Sequence, residues 1–483
     1  MTNSTIILVC IGGYLVLLIL LGLYANKTGS SKSLKDFYLA GNGLGSFVLL
    51  LTLYATQYSA NTMLIVPAEV RHQGVGMILI LGYMTAVVVI YLTFAPQLFA
   101  VSRQRPLITP GDWLSYRYQF PALTLLINLI YGLVLVNFLL AQLIAAGEIA
   151  HSITDGQVPY WAGVIFLALI MIVYETLGGM RAVAWTDVLQ GCLLLTGLLG
   201  IFLMVFPGTD QLGEITSWLI AHEPEKVQVP DLDFRRYWAS TVLMVGLGAA
   251  MYPQSIQRIY AAKNLRSLKR SLSFMVFMPL FTILILFLLG IISIPVLAEV
   301  EGLPRDSVLP EMLRRWGEQS TFTFAMTILV IVGLLAAIMS TADSVLLSLS
   351  SILTKDILGA SVLKNATDAQ LTRIGKWLSW GIMLGIVLWS LHPTITLWGL
   401  IELKMQLLVQ VAPAFILGVH FPKVKPIAIM CGLVVGLVFS LTTFFLAYST
   451  LYGIQSGLVG LMLNLLTCFI GQNTLTKRIR KVQ

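Results

Sequence analysis

The chain has 483 residues, 57% of them hydrophobic and 11% charged, with mean hydropathy +0.87 and a formal net charge of +8. Soluble proteins carry about 25% charged residues, so this chain cannot coat a water-facing surface, and a soluble enzyme is excluded. The four cysteines, Cys10, Cys192, Cys431 and Cys468, lie far apart in apolar runs, which argues against a disulfide framework or a cysteine-rich zinc site.

Apolar runs of about 20 residues point to a bilayer rather than to nucleic acid. Thirteen spans are expected, at 5–24, 46–69, 75–100, 122–150, 159–178, 185–207, 237–260, 272–298, 322–353, 375–392, 396–419, 425–447 and 453–471. The first reads as a span, not a cleavable signal, because no basic region precedes it and it runs long without a small-residue cleavage site. With the N-terminus outside, cytoplasmic segments hold 22 of the 30 basic residues, Arg258 among them. Seven fall outside, and Lys404 lies deep within a span. This positive-inside bias predicts an outer N-terminus and a cytoplasmic C-terminus. The longest connections, 208–236 and 299–321, are outside and net acidic. Residues 1–483 therefore read as a single multi-pass domain of the cell membrane.

Ionisable or polar groups inside apolar spans are costly and mark candidate sites. Segment 46–69 breaks its pattern at Tyr54-Ala55-Thr56-Gln57-Tyr58-Ser59-Ala60-Asn61-Thr62. A continuous helix would show polar groups on every face, whereas an interrupted one frees carbonyls to line a cavity or bind an ion. Glu148 and Glu175 lie near span ends, within reach of headgroups or water; Asp187 is too short to reach far. Segment 237–260 carries a matching defect, Gly246-Leu-Gly248-Ala-Ala-Met-Tyr252-Pro253-Gln254, where Pro253 predicts a break near Ala249. Two such defects suggest an inverted repeat, 46–207 against 237–419. In 322–353, Ser340, Asp343 and Ser344 share one face at i, i+3, i+4 spacing, with Thr341 beside them. These hard oxygen donors suit an alkali cation. In 396–419, Glu402, Gln406 and Gln410 form a stripe with Lys404 beside it. The stripe serves either a zwitterionic or hydrogen-bonding solute, or an internal Glu402–Lys404 ion pair without substrate contact.

Four motifs resemble those of the sodium/solute symporter family: Asp36-Phe-Tyr-Leu-Ala-Gly41; Gly178-Gly179-Met-Arg181-Ala-Val-Ala-Trp185-Thr186-Asp187-Val-Leu-Gln190; Pro253-Gln-Ser-Ile-Gln-Arg258-Ile-Tyr-Ala-Ala-Lys263, similar to a cytoplasmic loop motif; and Ala337-Ile-Met-Ser340-Thr341-Ala-Asp343-Ser344, followed by Ser350-Ser351 and Lys355-Asp356. The resemblance implies an all-α polytopic membrane protein of about 13 helices with a leucine-transporter-type inverted five-helix repeat. It divides the chain into an extra N-terminal helix and loop (1–45), repeat one (46–207), repeat two (237–419), and two trailing helices with a basic cytoplasmic tail (420–483).

It further implies one Na⁺ held by carbonyls of Ala55, Tyr58 and Ala337 and hydroxyls of Ser340 and Thr341. A second cation, Na⁺ or a proton, would lie around Asp187, Asp343 and Ser344. The solute is expected near Gln57, Ser59, Asn61, Met251, Tyr252, Glu402 and Gln406. Proline-transporting members place aromatics at the positions of Asn61, Val245 and Ala249, which disfavours proline. Sugar transporters carry a Lys in the helix matching 272–298, which has no charge here. Gln57 stands where several amino-acid symporters have Asp. The expected function is sodium-coupled import of a small polar solute, an amino acid other than proline. The alternatives are a sodium- or proton-coupled carboxylate or vitamin carrier, or a transporter-like sensor. No organic cofactor, nucleic acid, obligate protein partner or enzymatic activity is expected. Nor is a channel, since no ring-forming filter sequence is present.

Overall fold

A bilayer core offers the backbone no water, so apolar segments close their hydrogen bonds as helices. The computed structural model describes residues 3–28, 33–154, 156–206, 209–300, 302–392 and 397–480. Among them, one short hairpin, Thr450–Leu451 paired with Ile454–Gln455, accompanies an otherwise helical fold.

Ten helices among the described residues are long and apolar enough to cross a membrane. The difference from the thirteen expected segments arises at three places. Segment 46–69 is split into Ser46–Gln57 and Ala60–Gln73, and the second half runs on through a 3-10 stretch, Gly74–Ile80, into Leu81–Gln104. Segments 159–178 and 185–207 form one helical run, Tyr160–Val205, which turns at Gly179 (φ 54°, ψ −146°). Segment 237–260 is split into Leu232–Ala249 and Pro253–Ala261, neither of which spans alone.

The last half-helix corrects the sequence reading of 253–263 as a cytoplasmic loop. All nine of its residues are buried, Arg258 included. The long connections 208–236 and 299–321 carry short helices, Thr209–His222 and Val308–Gly317, and the last span starts at Ser456, after the hairpin.

The centre of the bundle is helix Thr321–Ser351, started by a Ser320/Thr323 capping box and buried at every residue from Val330 to Ser351. It packs most extensively against Tyr160–Val205, with Pro121–Ile153 beside it. Small residues let the first pair approach: a Cβ on Gly333 would lie 2.8 Å from the Leu193 carbonyl oxygen. Helix Asn3–Thr28 lies outside on Tyr160–Val205 and exposes Leu8, Val9, Val16, Leu17 and Leu20, an apolar face suited to lipid. Both broken helices face the central helix. That arrangement positions the site.

Candidate functional site

Helix Ser46–Gln57 ends where Tyr58 leaves helical geometry (φ −95°, ψ 85°), Ser59 is extended (φ −84°, ψ 171°), and the helix restarts at Ala60. The break freed in this way faces the polar turn of the central helix. Thr341 Oγ1 lies 3.4 Å from the Ala55 carbonyl oxygen and 3.5 Å from that of Thr56, and Thr56 Oγ1 lies 3.1 Å from Ser344 Oγ. Ala337, one turn earlier, is buried, as is Tyr58. The second break is made by Pro253, which has no N–H for the Ala249 carbonyl. That carbonyl is taken instead by the Tyr252 N–H and the Tyr91 hydroxyl, both at 3.2 Å. Gln57 ties the breaks together, its amide donating to Tyr91 Oη at 2.8 Å and Ser255 Oγ at 2.9 Å.

Beside the first break lies an ion pair with no solvent exposure, Arg258 Nη2 to Asp187 Oδ2 at 2.9 Å. Arg258 also donates to Thr52 Oγ1 at 2.8 Å, to the Gln254 carbonyl at 3.1 Å and to Ser344 Oγ. Asp187 accepts from Thr52 and, at 2.5 Å on its other oxygen, from Ser340. Arg258, counted as cytoplasmic from the sequence, is thus a structural cation within the bundle. Among the described residues Asp187 and Asp343 do not share a ligand: Asp343 accepts the Tyr174 hydroxyl on one oxygen, and its Oδ1 has no hydrogen-bond partner. Glu148 is exposed, as its place near a span end suggests. Glu175 is buried, accepts from Ser379 at 3.3 Å and leaves Oε2 without a hydrogen-bond partner among the described residues.

A cavity of about 80 Å³ opens at the two breaks, lined by Gln57, Ser59, Thr62, Tyr83, Phe138, Val245, Ala249, Tyr252 and Lys404 with aliphatic neighbours. Of the candidate solute residues, Gln57, Ser59 and Tyr252 line it. The Asn61 side chain lies outside the described residues, and Met251 is buried away from the lining. Glu402 and Gln406 are not among the lining residues either. Residues two apart on a helix point to nearly opposite sides: Lys404, with Ile401 and Met405, faces the cavity, and the Glu402/Gln406/Gln410 stripe faces away. With the Gln455 amide oriented to satisfy both its ends, its nitrogen donates to Glu402 Oε1 at 3.2 Å. Gln406 donates to Ser456 at 3.2 Å, and Gln410 to the Gly457 carbonyl at 2.9 Å and Ser440 at 3.1 Å. The stripe is a seam to the two trailing helices, and no Glu402–Lys404 ion pair forms.

The model of the Sodium:solute symporter family matches residues 37–436, a stretch that holds both breaks and the cavity. The chain belongs to this family. The chain is 26% identical over 442 residues to the osmoregulated proline transporter OpuE of Bacillus subtilis (89% of this chain, 87% of that one). It is 25% identical over 264 residues to the sodium/pantothenate symporter of Escherichia coli (54% of each). A Na⁺-coupled sialic acid symporter, solved in a substrate-bound outward-open state, superposes with TM-score 0.81 at 18% identity over 98% of each chain.

In this symporter the motifs that are separate in sequence meet in space. Asp36 pairs with Arg181 of the Gly178–Gln190 motif at 2.7 Å. Gln257 donates to Ser351 at 2.7 Å and accepts from Ser348 at 2.5 Å. Lys355 pairs with Asp112, and Thr109 donates to Asp356 at 2.7 Å. Sequence reasoning missed the role of Arg258 and the packing of the Lys404 ammonium over the Phe138 and Tyr252 rings. The phase of Ile401, Lys404 and Met405 at i, i+3, i+4 was the available signal for the second.

Proposed function

We propose that this sodium:solute symporter is a Na⁺-driven importer of a small polar solute. It crosses the cell membrane thirteen times, N-terminus out and C-terminus in, as two inverted repeats, 46–207 and 237–419. The observation that carries this reading is the unwound Tyr58-Ser59 segment lying against the Ser340-Thr341-Ser344 turn, with Thr341 Oγ1 3.4 Å from the Ala55 carbonyl oxygen. Carbonyls of Ala55, Tyr58 and Ala337 and hydroxyls of Ser340 and Thr341 would hold one Na⁺. A hydroxyl carries one proton and two lone pairs. Ser340 gives its proton to Asp187, which leaves its lone pairs for a cation.

A second Na⁺ at Asp187 would have to displace Arg258. A proton on Asp343, whose Oδ1 is buried and unpartnered, is the better-supported second coupling ion. The solute classes are an amino acid other than proline, or a carboxylate or vitamin. Val245 and Ala249, the positions at which proline carriers place aromatics, do line the cavity, which supports the exclusion of proline. An inward Na⁺ contributes about 2.3 kcal/mol per 100 mV, and it drives transport only through different affinity for the outward and inward states.

The test is uptake of labelled amino acids, carboxylates and vitamins into proteoliposomes with an inward Na⁺ gradient and with K⁺ in its place. Ser340→Ala with Thr341→Ala should abolish the Na⁺ dependence. Unchanged dependence in that double variant sinks the site.

A further inference from the structure

Lys404 is 1% exposed, inside a membrane span, yet it has neither a carboxylate nor a hydrogen-bond partner among the described residues. Its ammonium rests on an aromatic shelf, 3.5 Å from the Phe138 ring centroid and 6.0 Å from that of Tyr252, the two rings being stacked at 5.1 Å. Ring faces attract a cation but leave its charge uncompensated. Removing a charge from water without a counter-ion is strongly unfavourable. The acid nearest in sequence, Glu402, points to Gln455 on the far side of the helix. Among the described residues no Asp or Glu lines the cavity beside Lys404.

We infer that Lys404 is the counter-charge for the solute, and that the solute is a monocarboxylate with an apolar body. The inference rests on the symport reading above and adds the chemical class. The cavity supplies one cation, so one negative group is matched, and a dicarboxylate or phosphate would bring charge with no partner. It supplies no acid, so the ammonium of an amino acid would enter without one. The hydroxyls of Ser59 and Thr62 line the same space and make no hydrogen bond among the described residues. They can donate to a carboxylate held by Lys404. Ile65, Val66 and Ile401 with the aromatic shelf give an apolar stretch of wall that suits a hydrocarbon chain.

The experiment uses the full chain in detergent with Na⁺ present. Binding is measured calorimetrically for C3 to C10 straight and branched monocarboxylates, each against its neutral amide and its 2-amino acid. The pair 4-methylpentanoate and leucine is one such comparison. The expected result is at least tenfold tighter binding of the best carboxylate than of its amide or amino acid. Lys404→Met should remove that preference and Lys404→Arg should retain part of it. Equal binding of acid and amide by the unsubstituted chain, tighter binding of the amino acid, or no binding by any monocarboxylate overturns the inference. So does a Lys404→Met protein that keeps the preference. The unsubstituted chain needs no tolerated substitution, so the acid-to-amide comparison decides even if the variants fail to fold. Binding of a carboxylate without Na⁺ dependence would sink the symport reading while leaving the role of Lys404 intact.

Discussion

Arg258 and Asp187 are both withdrawn from solvent, and among the described residues the pair is hydrogen-bonded by Thr52, Ser340, Ser344 and the Gln254 carbonyl. A buried pair of this kind is weak evidence for net stability, but removing one member strands the other charge, at about 3–5 kcal/mol. Arg258→Met and Asp187→Asn should therefore each lower the thermal unfolding midpoint in detergent markedly. Asp187→Leu combined with Arg258→Met should lower it less than either single change. A double variant as damaged as the sum of the singles would contradict the pairing. Neither partner's role was legible in the sequence. A charged residue near the end of an apolar run reads as the membrane boundary, and what cancels Arg258 comes from residue 187, 71 positions away. Lys404 is similar: its direction could be had from helical phase, but Phe138 opposite belongs to another helix.

At the scale of elements, the two breaks were legible because each had a local cause. Tyr54 to Thr62 put polar groups on every face of a helix, and Pro253 removed a backbone donor. The turn at Gly179 had only a Gly-Gly pair to mark it, and the run continues as helix on both sides. There the conformation itself requires glycine: φ is 54°, and a Cβ would lie 2.5 Å from the Phe37 carbonyl oxygen. Gly179→Ala should cost about 1–3 kcal/mol for the backbone region alone, with the clash added. Gly132→Ala, in a helix with nothing within 4 Å of the new Cβ, should be neutral or slightly stabilising. Thermal unfolding of the two variants side by side is the measurement, and equal midpoints would remove the constraint argued for Gly179. The stripe Glu402, Gln406 and Gln410 had a legible period but an illegible destination. Its partners, Gln455, Ser456, Gly457 and Ser440, sit in the trailing helices and hairpin, where only tertiary packing brings them.

For the whole molecule, the distribution of basic residues predicts the orientation. Val229, 83% exposed, lies in a connection that this orientation puts outside, and Lys364, also exposed, lies in one that it puts inside. In a background with Cys10, Cys192 and Cys431 replaced by Ser, a membrane-impermeant maleimide should label Val229→Cys on intact cells and Lys364→Cys only after permeabilisation. The opposite pattern overturns the orientation. The end that carries Lys364 is fastened by several polar ties. Arg117 donates to the Gly418, Phe421 and Pro422 carbonyls at 2.7, 2.9 and 3.1 Å, and Arg103 donates to the Lys263 carbonyl at 3.1 Å. Lys355 and Asp112 add a charged pair there.

The interruption at Tyr58-Ser59 has an electrostatic consequence of its own. Peptide dipoles add along a helix, leaving about half a negative charge at its C-terminal end and half a positive charge at its N-terminal end. Ser46–Gln57 therefore turns its negative end toward the Ser340-Thr341 turn, and Ala60–Gln73 turns its positive end toward the space shared with Lys404. One gap of two residues would thus offer opposite polarities to the proposed cation and the proposed carboxylate. A cation on one side makes the other side more hospitable to an anion, and by thermodynamic reciprocity the anion returns the same factor to the cation. Cargo and driving ion would reinforce each other through the field of a single severed helix, with no movement required.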